Sequence, residues 1–380
     1  MKRFFRFIKN NFALKRLWLL LFFPLGLGLT ALAAAYPGFA EGYAHTVYRV
    51  LSQGVNFLTS LLPFSLIEIL LYLLIIGVLT YFAVGIARLI RNRENRGQRL
   101  FRFLITPLCA LSVVYFAFVT GCGINYSRYT FAQVSGLPIQ ESSVEELYTL
   151  CLSLAEDVNR LRAQLPEDEQ GVMVSGFSSQ AEKAQQARIS YDTLEAQYPT
   201  LTAGYGAPKP VLASRLMSWC DITGIFVPFT FEANVNTDVP DYSQPATMCH
   251  ELSHLRGYMR EDEANFIAYL ACRNSESIEF QYSGAMLAFV HTNNALYSAD
   301  QELWQAAYST LSEGVRRDLD FNSAYWQQFE GPVSQISSAV NNAYLQANRQ
   351  EDGVRSYGRM VDLLLADYRR GAPAGDSREN

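Results

Sequence analysis

The residues best suited to chemistry are five consecutive positions, 250–254, which read His-Glu-Leu-Ser-His. On an α-helix, residues four positions apart share one face, so His250 and His254 are expected to point in the same direction. Two imidazoles in this arrangement can bind one Zn²⁺, and Glu251 can then act as a general base toward the water that the metal activates. The chain contains only 4 His, so chance seldom produces this spacing. A catalytic zinc site is therefore favoured over the alternative, two surface His on an amphipathic helix.

A third metal ligand is expected shortly after this motif. A catalytic zinc needs three protein ligands and keeps one position for water. Gly257 favours the end of the first helix, and Glu261 then falls in the first turn of a second helix, where it is the predicted third ligand. Asn265, one turn later on the same side, is predicted to orient a ligand imidazole through a hydrogen bond. Glu263 points away from Glu261 and is the weaker candidate. The alternative explanation for this acidic cluster is a helix N-terminus that favours negative charge.

The motif and the helix after it resemble the gluzincin metallopeptidases, in which His-Glu-x-x-His is followed by a helix of the type Glu-x-x-Ala-Asp or Glu-x-x-Ala-Asn. The resemblance implies His250, His254 and Glu261 as zinc ligands and Glu251 as the base. The link from His254 to Glu261 is shorter here than in many gluzincins. The metzincin pattern is rejected, because its third ligand would fall on Arg260, which does not bind zinc.

Several further segments carry a second resemblance. They are Gly-Ile-Asn-Tyr at 123–126, Pro-Phe-Thr-Phe-Glu-Ala-Asn-Val-Asn at 228–236, the motif at 249–254, Glu-Asp-Glu-Ala-Asn-Phe at 261–266, Tyr-Ser-Gly at 282–284 and Ser-Tyr-Gly-Arg-Met-Val-Asp-Leu-Leu at 356–364. Through them, residues from about 120 to 370 resemble a bacterial family of membrane proteins that is defined only as a domain of unknown function. This resemblance implies no particular substrate.

Three apolar runs in the first third of the chain each reach the length of about 20 residues that spans a bilayer. They cover residues 17–36, 61–87 and 103–121. Basic residues are dense before the first run and after the second, but sparse after the first. The positive-inside rule then places the N-terminus in the cytoplasm and the chain after the third run outside. The alternative reads residues 1–35 as a cleavable signal peptide, which would leave the zinc motif on the same side.

The pattern of the whole chain predicts a mainly α fold. Residues 1–121 are interpreted as a membrane anchor of three transmembrane helices, and 122–370 as an extracytoplasmic, mostly helical zincin-like domain with a small edge-strand element. Helices are expected at 277–297, 299–328, 332–348 and 353–369, among others. The tail 371–380 is expected to be disordered.

A β-branched and aromatic stretch precedes the zinc motif, and Pro228 within it indicates that any strand here lies at a sheet edge. In gluzincin-like sites such a strand runs along the substrate cleft, and an extended peptide can add to it by main-chain hydrogen bonds. The resemblance makes residues 229–236 the candidate. Glu232, Ala233 and Asn234 are candidate substrate-binding residues, and Glu232 is a candidate to bind a free N-terminal amine. The alternative is a polar turn whose hydrogen bonds are already satisfied.

Two residues on a later helix, Tyr282 and His291, are candidates to stabilise an oxyanion, and Tyr282 is preferred. For His291 the alternative is an exposed helix histidine. Cys249 and Cys272 are expected to lie near each other if the two helices pack around the metal. They are interpreted as a disulfide, which an oxidising exterior permits, or as two buried thiols.

The leading hypothesis is a membrane-anchored zinc metallopeptidase that hydrolyses peptide or protein substrates outside the cytoplasmic membrane. The alternative is a non-catalytic receptor or assembly protein with a structural zinc, which needs a fourth protein ligand such as His291 or Cys249. A zinc hydrolase acting on another type of bond is a weaker option. The basic stretches flank apolar spans, so they indicate membrane topology rather than nucleic-acid binding.

Overall fold

A computed structural model describes residues 14–91, 94–348 and 359–371 of the chain. The described chain is mainly helical, with three long apolar helices near the N-terminus and one small sheet, which confirms the predicted fold class. Of the predicted disordered tail, only Gly371 is described, and it ends a helix; residues 372–380 lie outside the described residues.

The chain divides into two compact units. The first consists of the described residues of Met1–Val50, Leu66–Arg128 and Pro228–Thr230, and the second of those of Leu51–Ser65, Tyr129–Val227 and Phe231–Asn380. The division predicted after residue 121 remains a prediction.

The described residues up to position 121 are mostly helical, as their composition predicts. In chain order these helices are α1 (Phe22–Ala35), which continues a 3₁₀ turn over Leu14–Leu21, α2 (Pro37–Tyr43), α3 (Arg49–Ser60), α4 (Leu66–Arg91) and α5 (Arg96–Gly121). Small residues allow close packing within the first unit. Gly26 of α1, for example, lies against the ring of Tyr115 of α5, where a side chain would not fit.

Three of these helical segments are long and apolar enough to cross a membrane: Arg16–Ala35, Leu66–Arg91 and Arg96–Gly121. Most of the apolar side chains of α4 are exposed, and Glu68 is the one buried residue among those described in that helix. An apolar helix without a protein core around it is typical of a lipid environment. The three helices therefore indicate membrane association. The orientation predicted from the basic residues remains a prediction.

The second unit contains most of the helices. In chain order they are α6 (Phe131–Ser135), α7 (Val144–Arg162), α8 (Gln180–Glu195), α9 (Ser214–Trp219), α10 (Gln244–Leu255), α11 (Glu261–Arg273), α12 (Ile278–Ala299), α13 (Gln301–Ser309), α14 (Glu313–Gln327), α15 (Pro332–Ala347) and α16 (Met360–Gly371). The helix expected over 299–328 is in fact two, α13 and α14. The chain breaks there because Ser312 takes an extended conformation and its hydroxyl caps α14 by accepting from the Val315 N–H.

The core of the second unit surrounds α10 and α11. Helix α11 packs against both α10 and α12, and α12 packs against α7. Leu252 and Leu255 of α10 and Phe266 and Leu270 of α11 are completely buried. The two helices that carry the motif residues are therefore held inside the unit rather than on its surface.

A three-stranded sheet lies against α10. Its strands are β1 (Lys209–Pro210), β2 (Gly224–Val227) and β3 (Glu232–Val235). Strand β3 is central, parallel to β1 and antiparallel to β2, so β2 has a free edge among the described residues. The prediction that 229–236 is the edge strand is therefore wrong. Pro228 lies in the turn after β2, and pairing with β1 gives β3 a neighbour on each side.

Candidate metal centre

The motif occupies the end of α10, and a tight turn leads from it to α11. Pro245 is tolerated in the first turn of α10, where its missing N–H has no intrahelical partner. The helix ends at a Schellman turn: Gly257 has φ of +86°, its N–H bonds the His254 carbonyl at 2.8 Å, and the Tyr258 N–H bonds the Ser253 carbonyl at 3.2 Å. Helix α11 then begins at Glu261, as the sequence predicts.

This turn places the three predicted metal ligands together. Nε2 of His250 lies 3.1 Å from Oε2 of Glu261, and Nε2 of His254 lies 3.6 Å from Oε1 of the same carboxylate. One ligand atom from each of the three residues falls within 4.8 Å of the others. The cluster could therefore hold one metal ion.

The opposite ring nitrogens orient both imidazoles. Nδ1 of His250 lies 2.7 Å from Oδ1 of Asn265, and Nδ1 of His254 lies 2.7 Å from the Tyr258 carbonyl oxygen. Both oxygens only accept hydrogen bonds, so each Nδ1 carries the proton and donates it. In a neutral imidazole this leaves the Nε2 lone pair directed at the cluster, which is the form that binds metal. Asn265 makes the contact predicted for it. The contact of the Tyr258 carbonyl with His254 is not predictable from side-chain patterns, because it involves the main chain.

The cluster favours a positive charge between its members. Burial tends to lower the pKa of His254, but the adjacent carboxylate of Glu261 outweighs it and raises that pKa to about 9. Burial tends to raise the pKa of Glu261, yet the two imidazoles hold it well below its usual range. A proton or a metal cation can supply this charge. Two imidazoles and one carboxylate are donors that zinc accepts, so the residues present fit a zinc ion.

Glu251 lies beside the cluster as a buried carboxylate. Only 4 % of its surface is exposed, and within the described part of the chain its Oε2 atom has no hydrogen-bond partner. Burial raises the pKa of Glu251, an effect that the neighbouring imidazoles of His250 and His254 partly offset. A carboxylate with a raised pKa and one free oxygen is suited to accept a proton.

Tyr282 is not placed to stabilise an oxyanion, so the role predicted for it is wrong. Its side chain is completely buried in α12, and its hydroxyl donates to Oδ2 of Asp318 at 2.6 Å. The same carboxylate oxygen accepts from Nε of Arg162 at 2.7 Å. Burial and the Asp318 charge raise the pKa of Tyr282 far above its usual range, so the hydroxyl stays a donor within this network.

The substrate-binding role predicted for Glu232, Ala233 and Asn234 also fails. All three are buried in the central strand β3. The Glu232 carboxylate lies 2.6 Å from Nζ of Lys209, and Oδ1 of Asn234 accepts from the Ser65 hydroxyl at 2.7 Å. The side chains of Glu232 and Asn234 are therefore engaged in contacts inside the protein. The alternative of satisfied polar groups is correct, although these groups lie in a strand and not in a turn.

The remaining candidates stand outside the metal cluster. Among the described residues, neither His291 nor Cys249 belongs to the group that could hold the ion. Cys249 and Cys272 are free, buried and in side-chain contact, and burial raises the pKa of Cys272 well above its usual value. They are therefore buried thiols and not a disulfide. Glu263 caps α6 instead, because its Oε1 accepts from the Phe131 N–H at 2.9 Å.

Comparison with known proteins yields one match. A family model described as a protein of unknown function, DUF3810, matches residues 43–365, which is most of the chain. No curated protein matches the chain significantly, and no solved structure does. The family match agrees with the predicted resemblance to a family of unknown function and assigns no chemistry to the cluster. The resemblance to the gluzincins stays a prediction.

Proposed function

The chain belongs to the DUF3810 family, and we propose that it is a membrane-anchored zinc metallopeptidase that cleaves peptide bonds outside the cytoplasmic membrane. One observation carries the proposal. A buried carboxylate, Glu251, with one oxygen free of hydrogen bonds, lies beside a three-residue metal cluster. Such a group has no use in a purely structural metal site, but hydrolysis requires one.

The number of ligands supports catalysis over a structural role. Structural zinc sites are almost always closed by four protein ligands, whereas catalytic sites have three and keep a position open. Among the residues that the structure describes, the cluster offers three: His250, His254 and Glu261. This favours the peptidase over the alternative of a receptor held together by zinc. When bound, zinc would supply a Lewis acid that polarises a carbonyl and makes water more acidic.

In the proposed hydrolysis, the residues of the chain would have the following roles. Glu251 accepts a proton from the attacking water and returns it to the amine that leaves when the peptide bond breaks. Asn265 and the Tyr258 carbonyl fix the two imidazoles, so that the ligand set is arranged before substrate arrives. His254 and Glu251 are buried, and their burial strengthens their electrostatic effect on the reacting atoms.

Strand β2 offers a place for an extended substrate. The Asn236 N–H bonds the Thr223 carbonyl at 2.9 Å, so residues 223 and 236 form a hydrogen-bonded pair. Because such pairs alternate along an antiparallel ladder, the main-chain groups of Gly224 and the Phe226 carbonyl face the free edge. An added peptide strand could pair there next to the metal helix. The membrane location rests on the three apolar helices, and the outside location on the basic residues of the sequence.

The test compares wild type with Glu251→Gln, both full-length, in detergent and loaded with zinc. Glutamine is close in shape but does not accept the proton, so cleavage of a quenched-fluorescent peptide pool should fall by about 10²–10⁴-fold or more at unchanged zinc content. Glu276→Gln, at an exposed position, is the matched control and should keep full activity. Equal cleavage by wild type and Glu251→Gln at equal zinc occupancy would refute the peptidase.

A further inference from the structure

Gly224, in the edge strand β2, lies against the side chain of Glu251. A methyl group at this position would lie 2.6 Å from Oε1, 2.8 Å from Cγ and 2.9 Å from Cδ of Glu251. These separations are well below the distance of about 3.5–4.0 Å at which carbon atoms pack favourably. The carboxylate therefore occupies space that any other residue at position 224 would fill.

The next residue on the same face of the strand completes the contact. The Phe226 main-chain N–H interacts with the Glu251 carboxylate. The ring of Phe226 packs near the ligand imidazole of His254, with 6.5 Å between ring centroids. Since side chains alternate along a strand, Gly224 and Phe226 both face α10. Gly224 leaves room for the Glu251 carboxylate, and the Phe226 main chain contacts it.

A side chain at position 224 would move the carboxylate before it moved the backbone. Strand β2 is fixed by its pairing with β3, and α10 is buried along most of its length. The end of the Glu251 side chain has the torsional freedom that these backbones lack. Gly224 therefore acts on the placement of Glu251 more than on the strand itself.

We propose that Gly224 is a positioning residue for Glu251: its missing side chain lets the carboxylate seat against the free-edge strand, beside the metal cluster. The proposal rests on the proposed function for its catalytic consequence and on the packing for the contact itself. The alternative explanation is that the backbone of strand β2 requires glycine at this position, whatever residue stands at position 251. That explanation predicts an effect on stability that does not depend on Glu251.

The first arm of the test measures kinetics. Full-length, zinc-loaded Gly224→Ala is compared with wild type on the one peptide of the fluorescent pool that wild type cleaves best. We expect kcat to fall by at least about tenfold with KM and zinc content unchanged, because the base is displaced while the ligands stay in place. Gly176→Ala is the control: Gly176 has open space around its Cβ position, and its kcat should equal that of wild type.

The second arm does not depend on activity. The thermal midpoint Tm is measured for Gly224→Ala in two backgrounds, with Glu251 present and with Glu251→Ala. We expect a lower Tm in the first background and an equal or higher Tm in the second, where the colliding atoms are gone and alanine restricts the unfolded chain. The same change of Tm in both backgrounds would overturn the proposal.

Combined, the two arms separate this proposal from the proposed function. A change of Tm that depends on Glu251 (coupled Tm values), together with the fall in kcat, supports both the positioning role of Gly224 and the peptidase. Coupled Tm values in a wild type that cleaves no peptide support the seating of Glu251 by Gly224 and refute the peptidase. Coupled Tm values with an unchanged kcat overturn the positioning role, since the contact would then exist without guiding the base.

Discussion

Oδ1 of Asn265 lies 2.7 Å from Nδ1 of His250 and fixes the ring of that ligand from the neighbouring helix. The bond links α11 to α10 at the metal cluster, and Asn265 stands one turn after Glu261 on α11. A single helix face therefore supplies one candidate ligand and the group that orients another.

Asn265→Ala should weaken zinc binding without abolishing it. Loss of a group that orients a ligand imidazole typically costs about 10–100-fold in metal affinity. Competition titration against a chromophoric chelator measures this. Asn265→Asp keeps an acceptor oxygen at the same place and should retain most of the affinity. Equal affinities for wild type and Asn265→Ala would show that the hydrogen bond does not orient the ligand.

Glu261→Gln should lose most of its zinc, whereas Glu263→Gln should keep it. Glu261 faces both imidazoles, and an amide is a much poorer zinc ligand than a carboxylate. Glu263 instead accepts from the Phe131 N–H and from Nη1 of Arg260, so its substitution should lower Tm at full zinc content. Elemental analysis of the purified full chain gives both values. The reverse pattern would assign the third ligand to Glu263.

Zinc affinity should rise with pH up to about pH 9. The metal-free pKa of His254 is raised to about 9, and the metal binds only the neutral imidazole, so zinc must displace a proton below that pH. One proton released changes the apparent affinity by about tenfold per pH unit, and the dependence should flatten above the pKa. Chelator competition at a series of pH values tests this, and an affinity independent of pH from 7 to 9 would contradict it.

The same pKa shift has a consequence for the metal-free protein. A histidine whose pKa is raised on folding stabilises the folded state below its unfolded value of 6.5, and this stabilisation is lost as the pH rises toward 9. Saturating zinc should remove this loss, because the bound imidazole carries no proton that rising pH could take away. Tm measured with and without zinc at pH 6 and pH 9 gives the comparison.

A reporter fused after residue 370 should be active in the exported compartment. The basic residues of the sequence place the chain after the third apolar helix outside, and Arg96–Gly121 is the last of the three candidate spans. An alkaline phosphatase fusion, which needs an oxidising compartment, is compared with a green fluorescent protein fusion at the same position. Fluorescence without phosphatase activity would place the metal cluster in the cytoplasm.

The features of the site that the sequence predicted correctly are those that depend on residues close together in the chain. The spacing of His250 and His254, the stop at Gly257 and the positions of Glu261 and Asn265 are all local properties of two consecutive helices, and the structure confirms each placement. Helical periodicity fixes these relations without knowledge of the rest of the fold.

What the sequence could not predict depends on distant partners. Strand β3 is central because the two residues of β1 pair with it, and so short a strand has no periodicity to detect. Tyr282 is drawn to Asp318, 36 positions later in the chain. The importance of Gly224 lies in its close contact with Glu251, 27 positions later in the chain. Each of these relations arises from tertiary packing, which no spacing in the sequence encodes.

The Schellman turn at Gly257 also has a consequence for folding order. It keeps the three ligands and both imidazole partners within residues 250–265, so little loop-closure entropy is lost when they meet. Glu251, by contrast, is seated only after a strand from positions 224–227 has paired and packed. We therefore expect the metal cluster to assemble first and Glu251 to be seated later.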